Sequence, residues 1–303
     1  MGGVSPTMRI GLIGLGRMGF NMRARLRDAG HEVTGYDRDA TVRDVATTAE
    51  LVSALDAPRI VWVMVPAGEA THDTITELAG LLAPGDLVID GGNSKYTDDQ
   101  QHASLLAEHE IGYVDVGVSG GVWGRDEGYG LMVGGSSADV SRAMPIFDAL
   151  RPAGAREQGF SHAGPVGAGH YAKMVHNGIE YGVMQAFAEG FELLEASTVV
   201  DDVPAVVTGW QRGTVVRSWL LDLLVRALDE DPELADLEGY VEDSGEGRWT
   251  LEEAVNNAVP APVMSAALFA RFASRQQDSA AMRAVAALRN QFGGHSVKKS
   301  DEQ

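Results

Sequence analysis

The chain has 303 residues, of which 45% are hydrophobic, and it carries a formal net charge of −19. This length and composition suit a globular protein of two domains, and the acidic balance excludes general binding to nucleic acid or anionic membranes. The absence of cysteine excludes disulfides, thiol catalysis and cysteine–zinc sites. No apolar run approaches the roughly 20 residues of a membrane helix, and Met1–Thr7 does not resemble a secretory signal, so we expect a cytoplasmic protein.

The first elements of the chain form the pattern typical of dinucleotide binding. The apolar strand Met8–Ile13 leads into the glycine-rich turn Gly14–Gly19, followed by a predicted helix over Phe20–Ala29 and a second strand, His31–Tyr36. The first two glycines of such a turn let the backbone approach a pyrophosphate, and the third permits close packing of the helix. The N–H groups at the start of the helix face the phosphates.

Asp37 ends the second predicted strand, about 20 residues after the glycine-rich turn. A carboxylate there accepts hydrogen bonds from the adenosine ribose hydroxyls and repels a 2′-phosphate. We therefore predict NAD as the preferred cofactor, with NADP as the alternative because Arg38 follows directly.

Strands and helices continue to alternate, which predicts a parallel sheet with helices on both faces. The predicted strands are Arg59–Val65, Asp86–Asp90, Gly112–Val116 and Gly128–Gly135, and the helices are Thr71–Leu82, Gln100–His109 and Ser136–Leu150. Ligands of such sheets lie at the carboxyl ends of the strands, although ordinary turn chemistry also explains the glycines found there. The predicted cofactor-binding residues are Gly14, Leu15, Gly16, Arg17, Met18, Gly19, Asp37, Arg38, Val65, Pro66, Ala67 and Asn93.

The alternation stops at Gly164-Pro165, and the sequence from Val166 to about Arg289 is helical in pattern. The predicted fold class is an α/β Rossmann domain, with a doubly wound parallel sheet, over residues 8–165. An all-α C-terminal domain with a tail follows over residues 166–303.

Lys173 is the only lysine between Lys95 and Lys298. Lysine, unlike arginine, can release its proton when desolvated, so this position suits proton transfer, whereas an incidental lysine on a solvated helix is the alternative. Its neighbours are mostly apolar or small, which predicts a narrow polar stripe on an otherwise buried helix. At helical spacing the stripe consists of Lys173, His176, Asn177, Glu180 and Tyr181.

Four segments carry a family resemblance: Gly11–Gly19, Val88–Ser94, Gly117–Gly121 and Gly169–Gln185. The second contains Asp-Gly-Gly-Asn-Ser and the last contains Lys-x-x-His-Asn-Gly-x-Glu-Tyr-Gly. Together they resemble the decarboxylating 6-phosphogluconate dehydrogenases of the β-hydroxyacid dehydrogenase superfamily, in a short form, over residues 8 to about 297. The helical domain is shorter than in long forms, which suggests that one internal helical repeat is missing.

The resemblance implies oxidation of 6-phosphogluconate at C3 and loss of C1 as carbon dioxide, giving ribulose 5-phosphate and reduced cofactor. Lys173 matches the family's general base, and Glu180 matches the general acid that protonates C1 of the enediol left by decarboxylation. No metal is expected, because a protonated Lys173 can polarise the ketone oxygen itself. The positions that match sugar contacts are Asn93, Ser119, Gly120, Gly121, His176, Asn177 and Tyr181.

The substrate phosphate requires local cations in so acidic a chain. Arg271 resembles a phosphate-binding arginine, and the segment Arg289–His295 resembles a tail whose Arg289 and His295 reach the neighbouring subunit's site. The resemblance therefore implies a homodimer or homotetramer, built on the helical domain. A surface helix charge is the alternative for Arg271, and a flexible tail is the alternative for the last segment.

Some positions depart from the family pattern. Val183 replaces the acid usual after Glu-Tyr-Gly, and Ser244 and Glu246 stand where long forms have Lys and Thr near the phosphate. The nearest rival function is a 3-hydroxyisobutyrate-type dehydrogenase or semialdehyde reductase, whose members usually lack Asp-Gly-Gly-Asn-Ser. A non-catalytic NAD-binding sensor or scaffold is the rival of another class. The expected partner is the small-molecule substrate, without nucleic acid or membrane.

Overall fold

The computed structural model describes residues 6–293, Ser296 and Lys298. Within them the chain forms two compact units that divide between Asn177 and Gly178. The predicted division of labour between residues 8–165 and 166–303 stays a prediction. No helix of the described residues is long and apolar enough to span a membrane.

The first unit contains one seven-stranded sheet within the described residues, in the order β2-β1-β3-β4-β5-β6-β7. Its strands are β1 (Arg9–Ile13), β2 (Glu32–Tyr36), β3 (Ile60–Val63), β4 (Leu87–Asp90), β5 (Gly112–Ser119), β6 (Gly130–Gly135) and β7 (Phe160–Gly164). Its helices are α1 (Arg17–Asp28), α2 (Thr48–Ser53), α3 (Glu69–Leu81), α4 (Tyr96–Ala107), α5 (Gly124–Glu127) and α6 (Ser137–Leu150). The Rossmann fold class is confirmed.

The sheet is parallel except where β5 pairs antiparallel with β6. The prediction of a wholly parallel sheet is therefore wrong for this pair. The connection contains only a 3₁₀ turn, Gly121–Trp123, and the four-residue α5, and it is too short for the crossover that a parallel pair needs. The sequence pattern also missed α2 and β7, because α2 is short and three of the five residues of β7 are exposed.

Two hydrophobic cores cover opposite faces of the sheet, as predicted for helices on both sides. Residues of α1 and α6 pack with Ile10, Trp62 and Ile89. Residues of α2, α3 and α4 pack with Ile13, Val61 and Val88 on the other face. The alternation of Val61 and Trp62 between the two cores shows the two-residue period of a strand buried on both sides.

A 28-residue helix, α7 (Ala168–Glu195), carries the chain from the first unit into the second. The second unit then consists of helices, as predicted. They are α8 (Val203–Gly209), α9 (Trp219–Glu230), α10 (Glu246–Asn256), α11 (Pro262–Ser274) and α12 (Ala280–Gly293). One core joins the C-terminal half of α7 to α8 and α9, and a smaller one places Tyr181 against Leu268 of α11.

Strand β5 contacts α7 so closely that only glycine fits at Gly117. A Cβ at this position would lie 2.3 Å from Lys173 Cβ and 2.8 Å from the carbonyl oxygen of Gly169. Both contacts involve atoms close to the backbone, which cannot move aside cheaply. The absence of a side chain at Gly117 therefore sets the distance between the sheet and the stem of Lys173.

We expect Gly117→Ala to destabilise the first unit by about 1–3 kcal/mol, because α7 must shift away from β5. Chemical denaturation followed by circular dichroism measures the change. Gly130→Ala in the adjacent strand is the matched control, since its new Cβ would meet nothing closer than Ser119 at 3.9 Å. Equal stability of the two variants would contradict this account of the packing.

Candidate active site

The turn between β1 and α1 has the geometry of a phosphate-binding loop. Gly14 has a φ of +92°, and its N–H donates to the carbonyl of Tyr36 at 2.9 Å. A Cβ at Gly19 would lie 1.9 Å from the carbonyl oxygen of Gly14, whereas one at Gly16 would meet no atom within 4 Å. The loop is therefore tight on its inner side and open at Gly16, where a pyrophosphate can approach α1.

Asp37 holds this loop in place from the end of β2. One carboxylate oxygen accepts a hydrogen bond from the N–H of Leu15 at 2.6 Å, and the other accepts from the N–H of Asp39 at 2.8 Å. Arg38 is exposed. Because the carboxylate is fixed beside the glycine-rich turn, it lies where the ribose of a dinucleotide reaches in this fold.

The remaining predicted cofactor residues follow neighbouring strand ends. Val65, Pro66 and Ala67 come after β3, and a Cβ at Gly14 would touch Met64 and Val65. Asn93 follows β4 and is partly buried. Parallel pairing of β1, β3 and β4 places these residues at one edge of the sheet, as predicted.

Asp115 anchors the start of α7 to the sheet. This carboxylate is buried in the middle of β5, and it accepts hydrogen bonds from Gly167 N–H at 2.7 Å and His170 N–H at 2.9 Å. Both donors belong to the beginning of a helix, where N–H groups lack helical partners and the helix dipole is positive. The charge of Asp115 is thus compensated inside the protein, and α7 is held at its first turn.

Lys173 lies one turn further along α7, in a cluster of predicted site residues. Its Nζ donates to the Oδ1 of Asn177, which is also 3.1 Å from His176 Nδ1. The other ring nitrogen of His176 is 3.5 Å from the hydroxyl of Ser119, at the end of β5. Beyond Ser119, Gly120 and Gly121 both have positive φ values, +134° and +53°. The first unit thus brings a lysine, an imidazole, an amide and a hydroxyl together.

Glu180 and Tyr181 lie on the part of α7 that belongs to the second unit. Glu180 follows Lys173 by seven residues on this one helix, which is two turns, or about 10 Å along the axis. Tyr181 is buried, and the guanidinium of Arg271 lies 3.6 Å from the centre of its ring. Arg271 also donates to the carbonyl of Glu242 at 2.8 Å, while the hydroxyl of Tyr181 is 3.4 Å from Ser244 N–H.

The prediction that apolar residues beside the polar stripe are buried is wrong for the second part of α7. The side chains of Ile179, Val183 and Met184 are 56%, 36% and 40% exposed in this chain. Helices α10 and α11 pack on Tyr181, whereas Ile179, Val183 and Met184 lie outside that core.

The loop before α10 has a charge arrangement that the sequence did not predict. The carboxylate of Asp243 pairs with Arg248 and Arg275, both at 2.6 Å. Hydrogen bonds from Arg248, joined by Arg275, lower the pKa of Asp243 to about 2. Glu246 is buried in the first turn of α10. Arg248 of α10 and Arg275 after α11 therefore both pair with a carboxylate of this loop.

The last predicted cations lie on or beyond α12. Arg289 is exposed on this helix. His295 lies outside the described residues.

A buried polar network under α7 was missed by sequence reasoning. The imidazole Nδ1 of His170 is 2.9 Å from both carboxylate oxygens of Asp99, and both side chains are buried. Tyr113 donates to Asp99 at 2.8 Å. Two groups of three side chains lie close enough to hold a metal ion: Asp90, Asp99 and His102, and Asp99, Asp115 and His170. However, the oxygens of all three carboxylates already accept hydrogen bonds. The arrangement is that of a hydrogen-bonded network.

Burial disfavours the imidazolium of His170, but the attraction of Asp99, Asp90 and Asp115 outweighs it and raises the pKa of His170 to about 9. Burial, partly offset by His170, raises the pKa of Asp99 to about 6. At neutral pH the pair is therefore an imidazolium and a carboxylate. The only local sign in the sequence was Asp115, a single acid inside an apolar strand.

Comparison with known proteins decides the family. The sequence family described as the NAD binding domain of 6-phosphogluconate dehydrogenase matches residues 9–155, and that of the 6-phosphogluconate dehydrogenase C-terminal domain matches residues 169–303. The chain belongs to the 6-phosphogluconate dehydrogenase family. The NAD-dependent, decarboxylating 6-phosphogluconate dehydrogenase of Haloferax volcanii is 39% identical over 305 residues, covering 97% of this chain and 100% of that protein. YqeC of Bacillus subtilis is 40% identical over 301 residues, covering 96% and 100%.

Solved structures agree with this assignment. The 6-phosphogluconate dehydrogenase of Plasmodium falciparum has a TM-score of 0.78 and 28% identity, covering 97% of this chain and 67% of its own. That structure was determined without ligands, with NADP+ and with 6-phosphogluconate. A Mycobacterium tuberculosis 3-hydroxyisobutyrate dehydrogenase has a TM-score of 0.71 and 25% identity, covering 92% and 99%. The rival function therefore shares the architecture, while the family assignment rests on sequence.

The buried pair predicts a pH dependence of stability. A pKa of about 9 in the folded protein exceeds the ordinary value of 6.5 for histidine, so the folded state binds a proton that the unfolded state releases. This stabilisation, on the order of 3 kcal/mol, is complete below pH 6.5 and is lost as pH rises towards 9.

We expect the Tm to fall across this range in the unchanged protein and to fall less in Asp99→Asn. Differential scanning fluorimetry measures both slopes. Asp243→Asn is the control, because that carboxylate titrates near pH 2 and should leave the slope between pH 6.5 and 9 as it was. An identical slope in Asp99→Asn would refute the charge assignment.

Proposed function

We propose that this protein catalyses the NAD-dependent oxidative decarboxylation of 6-phosphogluconate to ribulose 5-phosphate and carbon dioxide. The observation that supports this most directly is the position of Lys173, on a helix held against the ligand-binding edge of a dinucleotide-binding sheet. His176, Asn177 and Ser119 surround it with hydrogen-bonding groups suited to a polyol. The names of the Haloferax volcanii and Plasmodium falciparum relatives support the substrate.

In this proposal Lys173 begins as the neutral amine and removes the proton from the C3 hydroxyl. The glycine-rich turn and Asp37 would hold NAD, which would supply the hydride acceptor for C3, so that a 3-keto acid would remain. The Lys173 ammonium then returns its proton to the ketone oxygen as the C1–C2 bond breaks, so the electron pair of that bond forms the C2–C3 double bond and carbon dioxide leaves. The product of this step is an enediol, and no metal is needed to form it.

Glu180 completes the reaction by protonating the carbon that carried the lost carboxylate. An acid on the same helix face as the base can serve the carbon next to C3. The sugar contacts proposed for Asn93, Ser119, Gly120, Gly121, His176, Asn177 and Tyr181 would orient C3 towards the nicotinamide.

The phosphate contact is proposed for Arg271, whose guanidinium is stacked on Tyr181 and points its donors along one plane. Direct contact by the loop before α10 is less favoured. Arg248 already pairs with Asp243, and Glu246 adds a buried carboxylate.

Lys173→Met should reduce kcat by about 100-fold to 10,000-fold while leaving NAD binding nearly unchanged, because it removes the acid–base group and keeps most of the side-chain volume. Lys173→Arg should be equally inactive, since arginine holds a positive charge but cannot accept the proton. Carbon dioxide release and a fluorescence titration with NADH measure the two properties. A Lys173→Arg protein with more than about half the activity would limit Lys173 to an electrostatic role.

Glu180→Gln should retain hydride transfer but slow the formation of ribulose 5-phosphate. Comparing NADH formation with product formation in a single turnover separates these steps. Glu192→Gln, on an exposed position of the same helix, is the matched control. Normal product formation by Glu180→Gln would remove the general-acid assignment.

NAD should be used in preference to NADP, because the fixed carboxylate of Asp37 favours a ribose diol and repels a 2′-phosphate. Asp37→Asn should lower the ratio of kcat/KM for NAD to kcat/KM for NADP, because the repulsion of the 2′-phosphate is removed and Arg38 can then attract it. Asp39→Asn, two residues away and exposed, should leave the ratio as it is. A higher kcat/KM for NADP in the unchanged protein would contradict the proposed role of Asp37.

We also propose a working unit of at least two subunits. Met282, Val285 and Leu288 follow one face of α12 and are 61%, 45% and 68% exposed. A second copy of the chain would cover such a face and bring Arg289 and His295 to a neighbouring site.

Arg289→Gln should raise the KM for 6-phosphogluconate about tenfold or more with little effect on the KM for NAD, as expected for loss of a phosphate contact. Arg283→Gln is the control on the same helix, because Arg283 pairs with Asp278 within the chain. If the site is shared, mixing Lys173→Met with Arg289→Gln subunits should restore up to about a quarter of normal activity through hybrid dimers, at substrate concentrations far below the raised KM. A fully active monomer in sedimentation would exclude the shared site.

A cytoplasmic location stays a prediction of the sequence.

A further inference from the structure

We propose that Tyr113 and Asp99 are positioning residues of the reaction, acting through a buried hydrogen-bond chain that links the Asp90–Ser94 loop to the first turn of α7. This hydrogen-bond chain runs from Asp90 through Tyr113 and Asp99 to His170. The loop at one end contains Asn93, and the helix at the other end contains Lys173. The inference rests on the proposed function and adds residues that do not touch substrate or cofactor in it.

The loop end of the chain is Asp90, the last residue of β4. Its carboxylate accepts hydrogen bonds from Gly92 N–H at 2.9 Å and from the Ser94 hydroxyl at 2.7 Å. Gly92 and Ser94 precede and follow Asn93, so these bonds hold the loop on both sides of Asn93. The conformation of the loop after β4 therefore depends on the position of one buried carboxylate.

The helix end of the chain is His170, which precedes Lys173 by three residues on α7. Its side chain pairs with Asp99 of α4 at 2.9 Å, and its backbone N–H donates to Asp115 of β5 at 2.9 Å. Residues three apart on a helix lie on neighbouring turns of one face. A movement of His170 would consequently move Lys173.

Tyr113 connects the two ends. Its hydroxyl donates to Asp99 at 2.8 Å and lies 3.3 Å from an oxygen of Asp90, with all three side chains buried. Burial, together with the nearby carboxylates of Asp90 and Asp99, raises the pKa of Tyr113, so its hydroxyl stays protonated and remains a donor. One hydroxyl group thus fixes α4 and β4 relative to each other.

Stabilising the core does not by itself account for a network of this kind. Buried ion pairs often contribute no more to stability than apolar residues of the same volume. The geometry here suits a different purpose, because the hydrogen bonds that join Tyr113, Asp99 and His170 hold these side chains in one arrangement. The members of this network hold the helical turn that carries Lys173 and the loop that carries Asn93. A reaction at C3 would need these two residues in a fixed relative position.

The decisive variant is Tyr113→Phe, which removes one oxygen atom and keeps the buried ring. We expect kcat to fall about tenfold to a hundredfold, because a base misplaced by a fraction of an ångström to about 1 Å loses that much. The KM values for 6-phosphogluconate and NAD should stay within about twofold. The matched control is Tyr129→Phe, which removes a buried hydroxyl that has no hydrogen-bond partner among the described residues and should leave kcat unchanged.

A double-mutant cycle tests whether the chain acts as one unit. Asp99→Asn should lower kcat similarly, and the double variant Tyr113→Phe/Asp99→Asn should be no slower than the slower single variant. NADH titration and circular dichroism on each variant establish that the protein tested is folded. Independent, multiplying losses in kcat, or losses matched by rises in both KM values, would overturn the positioning role.

The outcome is separable from that of the proposed function. If Lys173→Met abolishes turnover while Tyr113→Phe has normal kcat, only the positioning role fails. If Lys173→Met stays active, the proposed base itself fails, whatever Tyr113→Phe does.

Discussion

The placement of α7 on the sheet depends on one buried carboxylate. Asp115 lies inside β5, where an uncompensated charge would cost several kcal/mol. It is compensated by Gly167 N–H and His170 N–H, two donors that the start of any helix leaves unpaired. The carboxylate and the helix N-terminus therefore stabilise each other, and each would be unfavourable at this place alone. This mutual dependence fixes the start of the helix that carries Lys173.

Close packing fixes the remaining degrees of freedom. At Gly117 the backbone of β5 approaches the Cβ of Lys173, and at Gly169 the backbone of α7 approaches the carbonyl oxygens of Met132 and Asp115. Contacts between backbones tolerate far smaller displacements than contacts between flexible side chains. The side chain of Lys173 therefore extends from a backbone segment that close packing holds in place. In the proposed reaction, the Rossmann sheet contributes the loops that bind the cofactor, and α7 carries the residues proposed to transfer protons.

Charge is distributed unevenly in this acidic chain. Asp243 occupies two arginines, Arg248 and Arg275, that could otherwise face an anion. Arg271 instead stacks its guanidinium on the ring of Tyr181, which favours one orientation of the group. The apolar face of α12 and Ile179 are exposed in the part of the chain that the structure describes. A second copy that covers them would also bring cations, so the proposed dimer and the proposed phosphate site have a common physical origin.

Sequence by itself determined the features that depend on neighbours along the chain. The glycine-rich turn, Asp37 at the end of β2, the alternating elements up to α6 and the polar stripe from Lys173 to Tyr181 all follow from turn chemistry and periodicity, and the structure has these elements in the predicted order. Tertiary structure decided what depends on distant contacts. The antiparallel β6 follows from a short connection, and the polar edge strand β7 has no apolar pattern to reveal it. Asp99 and His170 are 71 positions apart, so no local pattern could pair them. They are paired in the folded protein because a buried charge is costly unless an oppositely charged or hydrogen-bonding group lies next to it.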